Sequence, residues 1–161
     1  MADRLARSAR DIAERRSTVY PPPYDQTTKG RGKRALGNVF GLDQFGVNLT
    51  TLDPGAATAL LHAHSAEDEF VYVLEGTPTL RTKRDGEAAE EQLMPGDCVG
   101  FKAGEGTAHA LVNLTDAPVI ILEVGSRRID EDYATYPDAD LAVVPDGSGQ
   151  RRIIRKDGTP I

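Results

Sequence analysis

A chain of 161 residues, 39% apolar and 27% charged, has the balance of one ordinary globular domain and the length to bury a sizeable core. No apolar run approaches the ~20 residues that cross a bilayer or resembles a signal peptide, and the single cysteine, Cys98, excludes an intramolecular disulfide framework, so a reducing cytoplasmic setting without a membrane partner is expected. The net charge of −6 divides into +5 over residues 1–34, −14 over 35–150 and +3 over 151–161; lacking aromatic interleaving or a nucleic-acid motif, the basic ends read as arms packed on the acidic domain or on a partner subunit rather than as a nucleic-acid contact.

In chain order, residues 3–16 carry Leu5, Ala9, Ile12 and Ala13 at helical spacing and predict a short, weakly docked helix. Pro21, Pro22 and Pro23 end it in an extended segment, and the polar, Gly-rich, basic stretch 26–34 predicts a loop or arm. From Leu36 to Ser126 the pattern changes to short apolar runs, with strands expected at 45–52, 58–64, 69–74, 77–82, 98–101, 108–114 and 119–124. Turn signals separate them, among them Asp53-Pro54-Gly55, Arg84-Asp85-Gly86 and Pro95-Gly96-Asp97. Regularly spaced short strands without intervening helical pattern predict an all-β antiparallel sandwich or barrel. Three parts follow: an N-terminal helix and basic arm over 1–35, a barrel over 36–126, and a polar, aromatic tail over 127–161 that wraps the barrel or a neighbouring subunit. Arms this long, together with edge strands that need covering, predict a homodimer.

The chemistry concentrates in the three histidines of the chain. His62 and His64 stand two residues apart, and on a strand that spacing puts both on one face, about 7 Å apart along the chain. Past the turn from Ser65 to Asp68, Glu69 returns on the next strand facing the pair, and His109 arrives from a later strand. Three imidazoles and a carboxylate converging inside a barrel suit a divalent transition metal, and ligand type alone does not choose among Fe, Mn, Ni, Zn and Cu. A six-coordinate metal would retain about two open positions for water or substrate.

At these residues the chain resembles the cupin superfamily, small jelly-roll barrels built on two motifs. Gly55, His62, His64, Glu69 and Gly76 match the first motif, with one extra residue after Gly55; Gly96, Gly104, His109 and Asn113 match the second in order. The resemblance covers about residues 36–126 and implies a cupin barrel with His62, His64, Glu69 and His109 as metal ligands. Lys102 stands where the second motif usually has proline, and the gap from Gly104 to His109 is long, so substrate comparisons suffer more than the ligand set. Phe45 to Asn48, Asp68 to Gly76, Tyr136 to Leu141 and Asp157 to Pro160 are similar to a group of single-domain bacterial cupins, a resemblance that implies no particular reaction.

Other residues carry blander expectations. Glu69 is preferred over Glu67 as ligand, because a one-residue shift of register changes face, and Glu67 and Asp68 are assigned to a solvated turn. Cys98 is expected to be a small buried apolar residue and Tyr72 to pack on the outer sheet face. Asn113 is either a residue orienting a ligand or a strand-end turn residue. Asn48 has an ambiguous face, and Lys102 and Glu105 either rim the cavity or belong to a solvated loop. No general base is legible. The function expected is a metalloenzyme of isomerase, lyase or dioxygenase type acting on a small oxygen-rich molecule; a non-catalytic module binding a small ligand is the alternative.

Overall fold

The structure is a computed structural model that describes residues 5–161. Twelve strands form three sheets. The largest orders as β1 (Arg31–Ala35), β2 (Phe45–Leu52), β9 (Val119–Ser126), β4 (Glu69–Glu75) and β7 (Cys98–Phe101), every neighbouring pair antiparallel. A second sheet orders as β6 (Glu87–Gln92), β5 (Thr79–Arg84) and β8 (Ala108–Val112). The third joins the tail strands β12 (Arg151–Ile154), β11 (Ala142–Pro145) and β10 (Ala134–Thr135) to β3 (Ala63–His64).

Alternation explains how the first two sheets close over a core. Glu69, Val71 and Val73 of β4, Val119, Ile121 and Glu123 of β9, and Thr50 and Leu52 of β2 share the inner face through their register. There Leu52, Val71, Val73, Val119 and Ile121 pack with Leu80 and Leu111 of the second sheet, each at most 5% exposed. At β4 Glu69, Val71 and Val73 are buried or half-buried and Phe70, Tyr72 and Leu74 exposed, which puts Tyr72 on the outer face as expected. A second apolar cluster joins Tyr20 to Ala134, Tyr136, Leu141 and Val143, fixing the tail against the barrel.

Several expectations fail for physical reasons. The helix over 3–16 is replaced by a single 3-10 turn at Ala9–Asp11 and an isolated bridge from Arg15 to Lys33; residues 3 and 4 lie outside the described residues. Its apolar stripe was too thin to repay helix nucleation. The expected loop 26–34 contains a 3-10 turn at Tyr24–Thr28 and then β1, where Arg31 and Lys33 share one face and the backbone pairs with β2. The stretch 58–64 is a strand only at Ala63–His64, because Leu60 leaves the barrel line to pack on the tail cluster. Strand β6, Glu-Ala-Ala-Glu-Glu-Gln, went unpredicted: it is exposed throughout and has low strand propensity. It forms because Asp85 and Gly86, at φ 52° and 88°, make the two-residue turn between Arg84 and Glu87. Cys98 is exposed, not buried, since it lies opposite Tyr72 on the outer face of the edge strand β7.

Gly76 ends β4 at φ 77°, and a Cβ there would stand 2.8 Å from Val119 Cγ2 and 2.9 Å from the Pro118 carbonyl. Gly76→Ala combines a left-handed backbone with a clash against fully buried Val119 and is expected to cost about 1–3 kcal/mol in urea unfolding.

Candidate metal centre

Backbone pairing brings the histidines together. His62 and His109 form an antiparallel bridge in which each N–H donates to the other's carbonyl, at 3.2 and 2.8 Å. Their rings lie 4.9 Å apart, and His64 stands edge-on to His62 at the same separation. Glu69, first residue of β4, meets them: its Oε2 is 3.7 Å from Nε2 of His62, 3.7 Å from Nε2 of His64 and 2.6 Å from Nε2 of His109. The structure therefore places all four sequence-derived site residues around one point.

The other ring nitrogens decide what that point can hold. His62 Nδ1 lies 2.9 Å from the Leu60 carbonyl, His109 Nδ1 3.3 Å from the Thr107 carbonyl, and His64 Nδ1 2.6 Å from Asp132 Oδ2. An acceptor at Nδ1 of His62 and of His64 leaves the Nε2 of each neutral ring free to offer a lone pair toward Glu69, while His109 Nε2 lies at hydrogen-bond distance from the same carboxylate oxygen. A proton on His109 Nε2 joins that ring to Glu69 by a hydrogen bond, and a divalent cation in its place would join all three Nε2 atoms to the carboxylate. Transition metals at about 2.0–2.2 Å from such ligands bring ligand atoms to separations like those observed, so the donor set fits a divalent metal.

Stacking and burial hold the rings. Phe101 lies parallel on His109 at 3.5 Å between centroids, and Tyr136 stacks on His62 at 5.8 Å. Burial pushes the His62 imidazole down to about 4, against the attraction of Glu69, keeping it neutral as a ligand must be. Burial would raise the Glu69 carboxyl, but the His109 hydrogen bond and the attraction of the neighbouring imidazoles outweigh it and hold the group ionised, well below the usual carboxylate range. For His64, burial is outweighed by the Asp132 hydrogen bond, and its pKa rises.

Several residues of the site were not legible in the sequence. Asp132, fully buried on the tail, accepts from the Ala66 and Glu67 amides as well as facing His64, and Arg151 of β12 pairs with it at 3.2 Å. Glu67 is not in a solvated turn: it is buried, accepts from the Arg128 amide and pairs with Arg151 at 2.6 Å. Its polarity and its place beside a turn concealed this, since the cation that buries it comes from β12. Asp68 is exposed, yet its Oδ1 accepts from the Ala103 amide and so holds the loop leading to His109. Asn113 proves to be the turn residue: fully buried, it donates to the Leu52 and Ala117 carbonyls and accepts from Thr115. Lys102 rims a small crevice beside His64 and His109, Glu105 is exposed on the loop beyond it, and Asn48 faces a different hollow near Arg15 and Arg127.

On the inner side of the donor set lies a cavity of about 100 Å³ walled by His62, Glu69 and His109 together with Arg31, Lys33 and Glu123. Glu123 Oε2 accepts from the Thr50 hydroxyl and pairs with Lys33 at 2.9 Å. Strand alternation was the available signal for Arg31 and Lys33, had β1 been recognised as a strand.

Comparison with known proteins agrees with this geometry. The cupin domain family matches residues 48–125. A solved sugar phosphate isomerase of the cupin superfamily from Silicibacter pomeroyi is 41% identical over 96% of this chain and 94% of its own, with a TM-score of 0.87. The chain belongs to the cupin superfamily. A putative sugar phosphate isomerase from Acidithiobacillus ferrooxidans is 29% identical over 81% of this cupin and 80% of its own chain, at a TM-score of 0.69. A polyketide cyclase from Streptomyces resistomycificus is 25% identical over 78% of this cupin and 80% of its own chain, at 0.59. Among curated proteins none matches. No helix among the described residues of the cupin is long and apolar enough to cross a membrane.

Asp132→Asn retains the shape but loses the charge that orients His64. It is expected to weaken a divalent cation at the cluster by about 10–100-fold in chelator competition, while Asp138→Asn, at an exposed pair with Lys83, leaves the affinity unchanged.

Proposed function

We propose that His62, His64, Glu69 and His109 hold a divalent transition metal and that this cupin is a metal-dependent enzyme of isomerase type acting on a small oxygen-rich molecule, with phosphorylated sugars the first class to test. The observation that carries the proposal is the convergence of three Nε2 atoms on one carboxylate oxygen, at 3.7, 3.7 and 2.6 Å, with an acceptor beside each Nδ1. The description of the 41% identical Silicibacter pomeroyi structure as a sugar phosphate isomerase supports the choice of class. Bound there, a metal would supply Lewis-acid polarisation of a substrate carbonyl or hydroxyl.

The chain's own residues supply the rest. Glu69, His62, His64 and His109 form the donor set, and Phe101 and Tyr136 cover the His109 and His62 rings against water. Glu123, the cavity carboxylate outside the donor set, is the group we assign to proton transfer between adjacent substrate carbons. Its hydrogen bonds from Thr50 and Lys33 fix its orientation.

The test is elemental analysis joined to turnover. Protein purified without added metal is expected to carry about one equivalent of a transition metal, lost in both His62→Ala and His109→Ala. Aldose and ketose phosphates, followed by NMR, are expected to interconvert with the intact chain and not after chelation. Metal retained by both variants would overturn the ligand assignment, and metal without turnover across the panel would overturn the isomerase reading.

We also propose that a second copy of the chain covers the outer face of the five-stranded sheet. Rows of apolar side chains cross it: Phe70 beside Val124 and Val47, and Tyr72 beside Leu122 and Leu49. Phe70 and Tyr72 are 40% and 37% exposed, more than an isolated domain ordinarily leaves on a sheet face. Sedimentation is expected to give a dimer for the intact chain and a monomer for the double variant Phe70→Glu, Leu122→Glu; a monomeric parent chain refutes it.

A further inference from the structure

Arg31 is buried, 9% exposed, on the wall of the cavity that His62, Glu69 and His109 also line. A guanidinium carries five N–H donors and remains charged in proteins, so burying one without a counter-charge is expensive. Its one side-chain hydrogen bond among the described residues runs from Nη1 to the Thr58 carbonyl, a neutral acceptor. No carboxylate among them lies within ion-pair distance of it. Glu123 shares the cavity wall, but its Oε2 is occupied by Lys33 and the Thr50 hydroxyl. Among the described residues the fully buried side-chain nitrogens and oxygens without a partner are Asp25 Oδ1 and Arg34 Nε, so the Arg31 nitrogens that bond nothing are not sealed off, and the residue lines the cavity.

Contrast within the same segment sharpens the point. Arg34 and Arg16 both reach Glu14, and Arg16 also reaches Asp53, while Lys33 reaches Glu123. These three cations of the basic arm find carboxylates; Arg31, more buried than any of them, faces cavity space. A planar fork of donors beside a candidate metal centre is the arrangement that recognises an oxyanion through paired hydrogen bonds.

We propose that Arg31 is the anion-recognising residue of this cavity, binding the phosphate or carboxylate of a small substrate whose reacting oxygens face His62, Glu69 and His109. The proposal deepens the functional reading above by naming the substrate class, an anionic one, and rests on that reading only for what the metal side of the cavity does. Lys33 adds a second positive charge to the same wall, and Glu123 sets the charge balance against which the anion binds. A cavity of about 100 Å³ restricts the occupant to a compact molecule unless the mouth opens.

Calorimetric titration of inorganic phosphate and of acetate into the full chain tests this, both as purified and after chelation, because an anion held by metal alone disappears on chelation. Binding is expected in both states, weakened at least tenfold by Arg31→Met, with metal content by elemental analysis unchanged. Tighter phosphate than acetate assigns a phosphorylated substrate, and the reverse order assigns a carboxylic acid; either order supports the proposal. Absence of binding, binding lost on chelation, or binding unaltered by Arg31→Met overturns it. Metal analysis separates the two readings: a chain that lacks metal yet binds phosphate through Arg31 sinks the metalloenzyme and retains the anion site. Should Arg31→Met fail to fold, crystals of the unaltered chain grown in phosphate decide the question. An anion on the Arg31 guanidinium supports the proposal, and an anion lodged only elsewhere overturns it.

Discussion

The reciprocal backbone hydrogen bonds between His62 and His109 are the constraint on which the site depends. A bridge from His62, itself outside any strand, to His109 of β8 holds the 56–64 segment against that strand and sets two imidazoles side by side. From that one pairing the rest follows. His64 falls on the same face two residues on, and the turn through Asp68 returns Glu69 beneath all three rings. The backbone pair fixes where the His62 and His109 side chains start, and the Nδ1 contacts with the Leu60 and Thr107 carbonyls, with the stacking of Tyr136 and Phe101, hold the rings in place. The donor geometry is therefore a property of the backbone as much as of the side chains.

Charge organises the surroundings in two layers. Close to the rings, Asp132 and Glu67 are buried carboxylates supported by amides and by Arg151, so negative charge is concentrated behind His64. Across the cavity, Arg31 and Lys33 bring positive charge from β1. Removing these groups from water is costly, and pairing plus hydrogen bonding offsets the cost only where geometry is good. Charged groups thus flank the histidine cluster on two sides, the carboxylates behind His64 and Arg31 with Lys33 on the cavity that His62, Glu69 and His109 line. The apolar work is done elsewhere, by Leu52, Val73, Leu111, Val119 and Ile121.

How much of this was legible depended on whether the signal was local. Strands Phe45–Leu52 and Cys98–Phe101 alternate apolar residues between clear turns, and their bounds match the sequence expectation. The convergence of His62, His64, Glu69 and His109 was legible because two-residue spacing on an extended segment is a local rule and because the motif resemblance added the rest. What escaped was set by distant partners. Glu67 looks like a solvated turn residue until Arg151, over eighty positions later, covers it. Leu60 looks like the middle of a strand until the tail cluster draws it outward. Cys98 has the composition of a buried residue and an exposed place because β7 is an edge strand. Basic residues in β1 read as an arm because their inward face is justified only by a cavity that no local pattern reveals.

The tail makes the same point about function. Strand β10 pairs with β3 so that Ala134 lies opposite His64, and Asp132 and Tyr136 flank that pairing. One braces His64 through Nδ1, and the other stacks on His62, its own hydroxyl directed to Tyr20 at 3.3 Å. A barrel ending at Ser126 would contain all four donor residues and yet leave His64 without its carboxylate and His62 without its cover. The family match ends at residue 125, whereas the likeness to the Silicibacter pomeroyi structure runs over 96% of the chain. The segments that distinguish this cupin from a bare barrel are thus the ones that set the protonation and orientation of its histidines. On the proposed reading, Arg31 of β1 and Asp132 of the tail supply what the four donor residues by themselves lack: a cation facing the cavity and a carboxylate bracing His64.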